Sequence, residues 1–204
     1  MKGLPRPQST FGAFIELIAI VAFAIGLALL IQSFLVKPFL IPSASMVPTL
    51  TEGQRILADR VSFRLGADPG IGDIIVFHPP VGADANRCGV EREPKQACAE
   101  PTAGELDTNF IKRVVAVPGD ELYIKDGHAI VNGVEAEEPF IKNCGGGLEC
   151  NLTEPIVIPP DHYFMMGDNR GNSDDSRFWG PIPRDYVIGQ AFATYWPPDR
   201  WGIF

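Results

Sequence analysis

Basic residues are scarce in this chain: 17 Lys and Arg stand against 25 Asp and Glu in 204 residues, a net charge of −8. Beyond residue 37 the imbalance is 14 to 24, or −10. No basic stripe, zinc-finger spacing or phosphate-cradling glycine loop is present. An acidic surface without these features excludes nucleic acid as a partner. Histidine is scarcer still. His78 opens a Pro-Pro loop, His128 sits in a hairpin and His162 follows an aspartate in a turn, so none stands where a Ser-His-Asp triad would need it. The four cysteines, Cys88, Cys98, Cys144 and Cys150, match no common zinc spacing, and no histidine completes one; no metal and no cofactor are expected. After residue 37 there is also no amphipathic helical period, no internal repeat and no low-complexity tail.

What the chain does have is one long apolar run. Nearly every residue of 11–36 is apolar, and 17–31 is unbroken. At about 1.5 Å per residue such a helix crosses a hydrocarbon core of about 30 Å. The competing reading is a cleavable signal, because Ser43-Ala44-Ser45 resembles a small-x-small cleavage site. The run is too long for a typical signal core, and its end at Val36-Lys37-Pro38 leaves non-small residues before those serines. An uncleaved anchor over 11–36 is therefore expected. Lys2 and Arg6 precede it without an acidic residue, which places 1–10 in the cytoplasm and exports 38–204. Glu16 lies near the cytoplasmic end, where a carboxylate reaches the interface.

The exported part reads as mainly β. Strands are expected at 54–61, 72–77, 110–117, 156–158, 163–166 and 189–195, with Asp126-Gly127 and Asn132-Gly133 as hairpin turns inside 121–134. Residues 78–109 show neither period and read as a polar surface insertion. In an exported domain two local disulfides, Cys88–Cys98 and Cys144–Cys150, are the simplest pairing, although four cysteines allow three connectivities.

Three stretches carry candidate chemistry. In residues 41–50, IPSASMVPTL, Ser43 and Ser45 lie between Pro42 and Pro48. The prolines hold the segment out of a helix, so a serine there presents its hydroxyl and N–H in a fixed direction, as a nucleophile beside an oxyanion site requires. In the strand 110–117, Lys112 and Arg113 interrupt apolar residues and point to opposite faces, so one is expected to face inward. Arginine cannot serve as a base, whereas a lysine in an apolar site can lose its proton near neutral pH, which makes Lys112 the candidate to serve Ser45. The third stretch, 166–177, reads MGDNRGNSDDSR; its acids, amides and arginines suit a loop braced by its own ion pairs.

In order and content, residues 41–50, 72–77, 110–120 and 167–177, with the N-terminal anchor and Trp196-Pro197, resemble the type I signal peptidases, membrane-anchored serine proteases with a Ser–Lys dyad. The resemblance implies a β-rich catalytic domain on the outer, periplasmic face of a bacterial inner membrane, acting on signal-peptide-bearing preproteins presented by the lipid bilayer. It implies Ser45 as nucleophile, Lys112 as general base, and the Ser43 hydroxyl with the Ser45 N–H as oxyanion donors. Ser173 matches a serine that orients the lysine, and Asp175 with Arg177 a supporting ion pair. Asp168, Asn169 and Arg170 structure the same loop. Phe39, Ile41, Pro42 and Ile111 fall where that family lines shallow pockets for small residues. The single anchor and the insertion 78–109 depart from its better-known members. Two rivals remain: an anchored β module without activity, and a self-cleaving repressor, which would need a DNA-binding region this chain does not show.

Overall fold

The structure is a computed structural model describing residues 10–204; Lys2 and Arg6, on which the expected orientation rests, lie outside the described residues. The first element, α1, is a 25-residue helix, Thr10–Phe34. No proline interrupts it, and Phe11–Leu29 has a mean hydropathy of 2.4. Every side chain from Phe11 to Leu29 is exposed. A helix apolar on all sides and, over Phe11–Leu29, left exposed by the other described residues has the length and composition to cross a membrane.

Twelve strands follow: β1 Val36–Leu40, β2 Arg55–Asp59, β3 Ile74–Phe77, β4 Phe110–Ala116, β5 Glu121–Lys125, β6 His128–Val131, β7 Val134–Glu135, β8 Ile156–Val157, β9 His162–Met166, β10 Ile182–Pro183, β11 Val187–Trp196 and β12 Gly202–Ile203. The larger sheet runs β1-β2-β11-β3-β4-β9-β10, with β12 added to β11; the smaller runs β7-β6-β5-β8. The chain is thus mainly β behind one N-terminal apolar helix, the class expected from the sequence. Two details differ. The apolar run extends to Val36, but the helix stops at Phe34 and Val36 already pairs with Asp59 in β1. Pro38 sits in that strand without loss because β1 is the sheet edge, where no ladder donor is needed. Two four-residue helices, α2 Val61–Arg64 and α3 Ser176–Trp179, are too short to show a period in sequence.

The period of two in β3 divides the core. Ile74 and Val76 pack with Ile41, Met46, Leu50, Ile56 and Ile111 on one side. Ile75 and Phe77 pack with Phe63, Val114, Met165 and Trp179 on the other. A third cluster joins the sheets, with Leu122, Ile124 and Ala129 against Val115, Phe164 and Met166. The hairpin turns form as expected: Asp126, Gly127, Asn132 and Gly133 all have positive φ, the backbone of tight hairpin turns.

The segment 78–109 is mostly exposed, as a surface insertion should be, but it is anchored at a few buried points. Its one helical turn is Ala83–Ala85, yet parts of it pack on the domain. Ala97 and Cys98 are buried, Ala97 belongs to the core that joins the sheets, and Gln96 bridges to Glu154. Small side chains let irregular backbone approach the body where no period could announce it. Both disulfides form as the simplest pairing has them, Cys88–Cys98 and Cys144–Cys150, with Cα separations of 5.6 and 5.7 Å.

Candidate active site

Ser45 is held from both sides in sequence. The Ile41 N–H donates to Gln54 O, and Ile41, Met46 and Leu50 plug the core behind the segment. Between them Ser43 is extended (φ −142°) and Ala44–Met46 makes one 3-10 turn. The backbone of this turn is also gripped from the loop after β9: Asn169 N donates to Ser45 O and Asn169 Nδ2 to Ala44 O, each at 3.0 Å. Ser45 is consequently buried and fixed, and the Ser43 hydroxyl lies 3.4 Å from Ser45 Oγ.

β4 delivers the partner. Lys112 is registered against Ile75 of β3 and is 5% exposed, with its Nζ 2.8 Å from Ser45 Oγ. Burial pulls its ammonium down from 10.5 to about 8, against the opposing pull of Asp175 and Asp174. Near that pH the amine has a free lone pair at bonding distance from a serine hydroxyl, which base-assisted nucleophilic attack requires. Arg113 turns to the opposite face. It grips Asp168 with Nε (2.9 Å) and Nη2 (2.7 Å) and stacks over Phe140, while the Thr49 hydroxyl donates to the same carboxylate.

The loop 167–177 braces both groups. Gly167 touches the Ser45 backbone: a Cβ there would meet Ser45 O at 2.5 Å and Ser173 Oγ at 2.2 Å. Gly167→Ala should therefore push Ser45 aside and cut the rate about 10²-fold, the order expected of a misplaced reacting group, while wild-type melting behaviour and rate together would refute the close approach. Asp175 and Arg177 form a buried ion pair at 2.8 Å. Burial alone would raise the Asp175 carboxyl, but the Arg177 guanidinium and the Gly167 N–H outweigh it and hold the group below the ordinary range. Arg177 also donates to the carbonyls of Arg170, Ser173 and Glu149. Ser173 is buried in the wall of the same cleft, and among the described residues no hydrogen bond joins it to Lys112.

One bracing residue has no sequence signal. Glu138 is buried and accepts from Arg170 Nη1 (2.9 Å) and Nη2, and from the Ala129 N–H of β6. It ties the smaller sheet to the loop, but its partner is 32 residues away and its own segment has no period. Ser45 and Lys112 open into a cleft of about 560 Å³, lined also by Pro42, Ser43, Ile111 and residues 170–174. Phe39 and Ile41 do not line it: Ile41 is 2% exposed in the core and Phe39 packs on the same cluster. Among the described residues no group of three His, Cys, Asp or Glu side chains could hold a metal.

Comparison with known proteins gives a coherent result. The family described as Signal peptidase, peptidase S26 matches residues 14–196. A probable signal peptidase I-2 from Synechocystis sp. is 34% identical over 97% of this chain and 78% of its own. A probable signal peptidase I-1 from the same organism is 36% identical over 99% and 92%. A crystal structure of a signal peptidase I from Enterococcus faecalis aligns at 25% identity and a TM-score of 0.40, over 61% of this chain and 97% of that one.

Proposed function

From its membership of the signal peptidase family, peptidase S26, which makes this chain an enzyme cleaving signal peptides from preproteins, we propose that Ser45 is the nucleophile and Lys112 the general base. Lys112 takes the Ser45 proton as Oγ attacks the carbonyl after a small residue at the end of the signal peptide. The Ser43 hydroxyl and Ser45 N–H hold the developing oxyanion, and the protonated lysine gives its proton to the leaving amine. A water deprotonated by Lys112 then releases the acyl group. Asp175 and Arg177 brace the loop beside the base, Ser173 lines the cleft next to it, and Pro42 and Ile111 receive the small side chains.

The observation that carries this reading is the 2.8 Å contact between Lys112 Nζ and Ser45 Oγ in a buried site where burial brings the amine to about 8. The helix α1 has the length and apolar composition for a membrane crossing; with Lys2 and Arg6 ahead of it in the sequence, the proposed placement is a bacterial inner membrane with the N-terminus cytoplasmic and residues 38–204 on the outer face. The substrate's own apolar segment would lie in the same bilayer, so its cleavage site emerges beside the start of β1.

The test incubates the full chain, reconstituted in lipid, with a preprotein carrying small residues before the cleavage point, and sequences the new N-terminus. Cutting after the small residue, and none when that residue is made large, is the expected result. Ser43→Ala should retain a slow enzyme, down roughly 10²–10³-fold as for loss of one oxyanion donor. A fully active Ser43→Ala would remove Ser43 from the oxyanion site, and indifference to residue size would remove the proposed pockets.

A further inference from the structure

Beyond the loop 170–174 the catalytic cleft adjoins a second cavity of about 380 Å³, and Glu149 and Phe178 line both. The second cavity has apolar contributions from Pro94, Leu148, Leu152 and Phe178, and charged groups at Arg92, Glu93, Lys95 and Glu149. Leu148 is 79% exposed, in the short loop closed by Cys144–Cys150. At the rim of this cavity it presents apolar area that an apolar side chain entering the cavity would cover.

Both walls are fixed relative to Ser45 and Lys112. On one side, Cys98 N (3.1 Å) and Arg92 Nη1 (3.3 Å) donate to Arg177 O, and Asn86 Nδ2 to Asp174 (2.8 Å). On the other, the disulfide loop lies so close to the catalytic loop that a Cβ on Gly171 would meet Cys144 O at 2.3 Å, and Arg177 Nη1 donates to Glu149 O. The insertion 78–109 and the disulfide loop are thus extensions of the active-site wall. The proposed pockets for the signal-peptide side, Pro42 and Ile111, line the first cavity and have no part in the second.

Resting on the proposed Ser45–Lys112 reading, we propose that the cleft between Arg92–Gln96 and Leu148–Leu152 receives the mature part of the preprotein, binding an apolar side chain a few residues after the cleaved bond. The chain leaving Ser45 crosses Glu149 and Phe178, and Leu148 covers the incoming side chain. The insertion then sets which mature sequences are held well, while the chemistry at Ser45 is common to all.

The experiment uses three substrates with one signal peptide: one with apolar residues at the third to eighth mature positions, one with serines there, and one ending after the second mature residue. The parent should show a KM about tenfold lower for the apolar substrate than for the serine one, the scale of a single apolar contact in a pocket. Leu148→Asp, on an exposed residue, should abolish that difference, Leu148→Met should restore it, and all three proteins should cut the short substrate alike. Equal KM values for the two long substrates in the parent, or a Leu148→Asp defect of the same size on all three, would overturn this inference alone. Cleavage by Ser45→Ala, or no cleavage by the parent, would overturn the catalytic reading and this inference with it.

Discussion

Ser45→Ala and Lys112→Arg should each leave no measurable cleavage of a preprotein that the parent processes. The first removes the attacking oxygen. The second keeps the charge and reach of the side chain but not the ability to surrender a proton, since guanidinium stays protonated in proteins. The parent's rate should climb with pH through an apparent pKa near 8, where buried Lys112 becomes neutral. The same depression fixes a stability effect. The fall from 10.5 to about 8 corresponds to about 3 kcal/mol of destabilisation, fully present below pH 8, where the lysine is charged in both states. Between 8 and 10.5 the unfolded chain binds more protons than the folded one, so stability rises with pH across that window. Lys112→Met should be inactive, yet more stable than the parent at pH 7 by up to about 3 kcal/mol, with the advantage gone above about pH 10.5. Denaturant melts at both pH values, beside a pH–rate profile, make the measurement. An active Lys112→Arg would eliminate the lysine as base and return attention to the histidines.

Arg177→Met should be the most damaging change outside the dyad. It leaves Asp175 fully buried without its hydrogen-bonded guanidinium partner, a loss of about 3–5 kcal/mol when one partner of a buried pair is removed. It also frees the carbonyls of Arg170, Ser173 and Glu149, which the guanidinium gathers. Because Asp175 holds the Gly167 N–H and Gly167 abuts Ser45, cleavage should fall with stability. Arg177→Lys retains the charge but not the planar fork and should lie between parent and Met. A loss under about 1 kcal/mol for Arg177→Met, within the range of an ordinary surface pair, would show the network to be dispensable.

What was legible in the sequence was whatever leaves a local mark. Two adjacent cations breaking an apolar strand pointed to Lys112, and prolines on either side of two serines pointed to a rigid Ser45. Asp-Gly and Asn-Gly placed the hairpin turns because their backbone tolerates positive φ. The strand β1 was hidden because its residues continue the apolar run, and only pairing with β2 separates the two. The burial of Ala97 and Cys98 was hidden in a polar segment without period, and Glu138 by a partner far along the chain. Phe39 and Ile41 show the converse: they were expected to line a pocket, and instead Ile41 belongs to the core and Phe39 packs on it.

The junction between helix and sheet has a mechanical consequence. Leu35 alone separates Phe34 at the end of α1 from Val36 at the start of β1, and its carbonyl accepts the N–H of Arg60, the residue that follows β2, at 3.1 Å. There is no slack at that point. With α1 in a bilayer, Ser45 stands on a post of nine residues, 36–44, instead of swinging on a tether. Its height above the lipid is then a property of the fold. A preprotein whose span between apolar segment and cleavage point is too short or too long would present the wrong bond, whatever its side chains. The enzyme would gauge length as well as sequence.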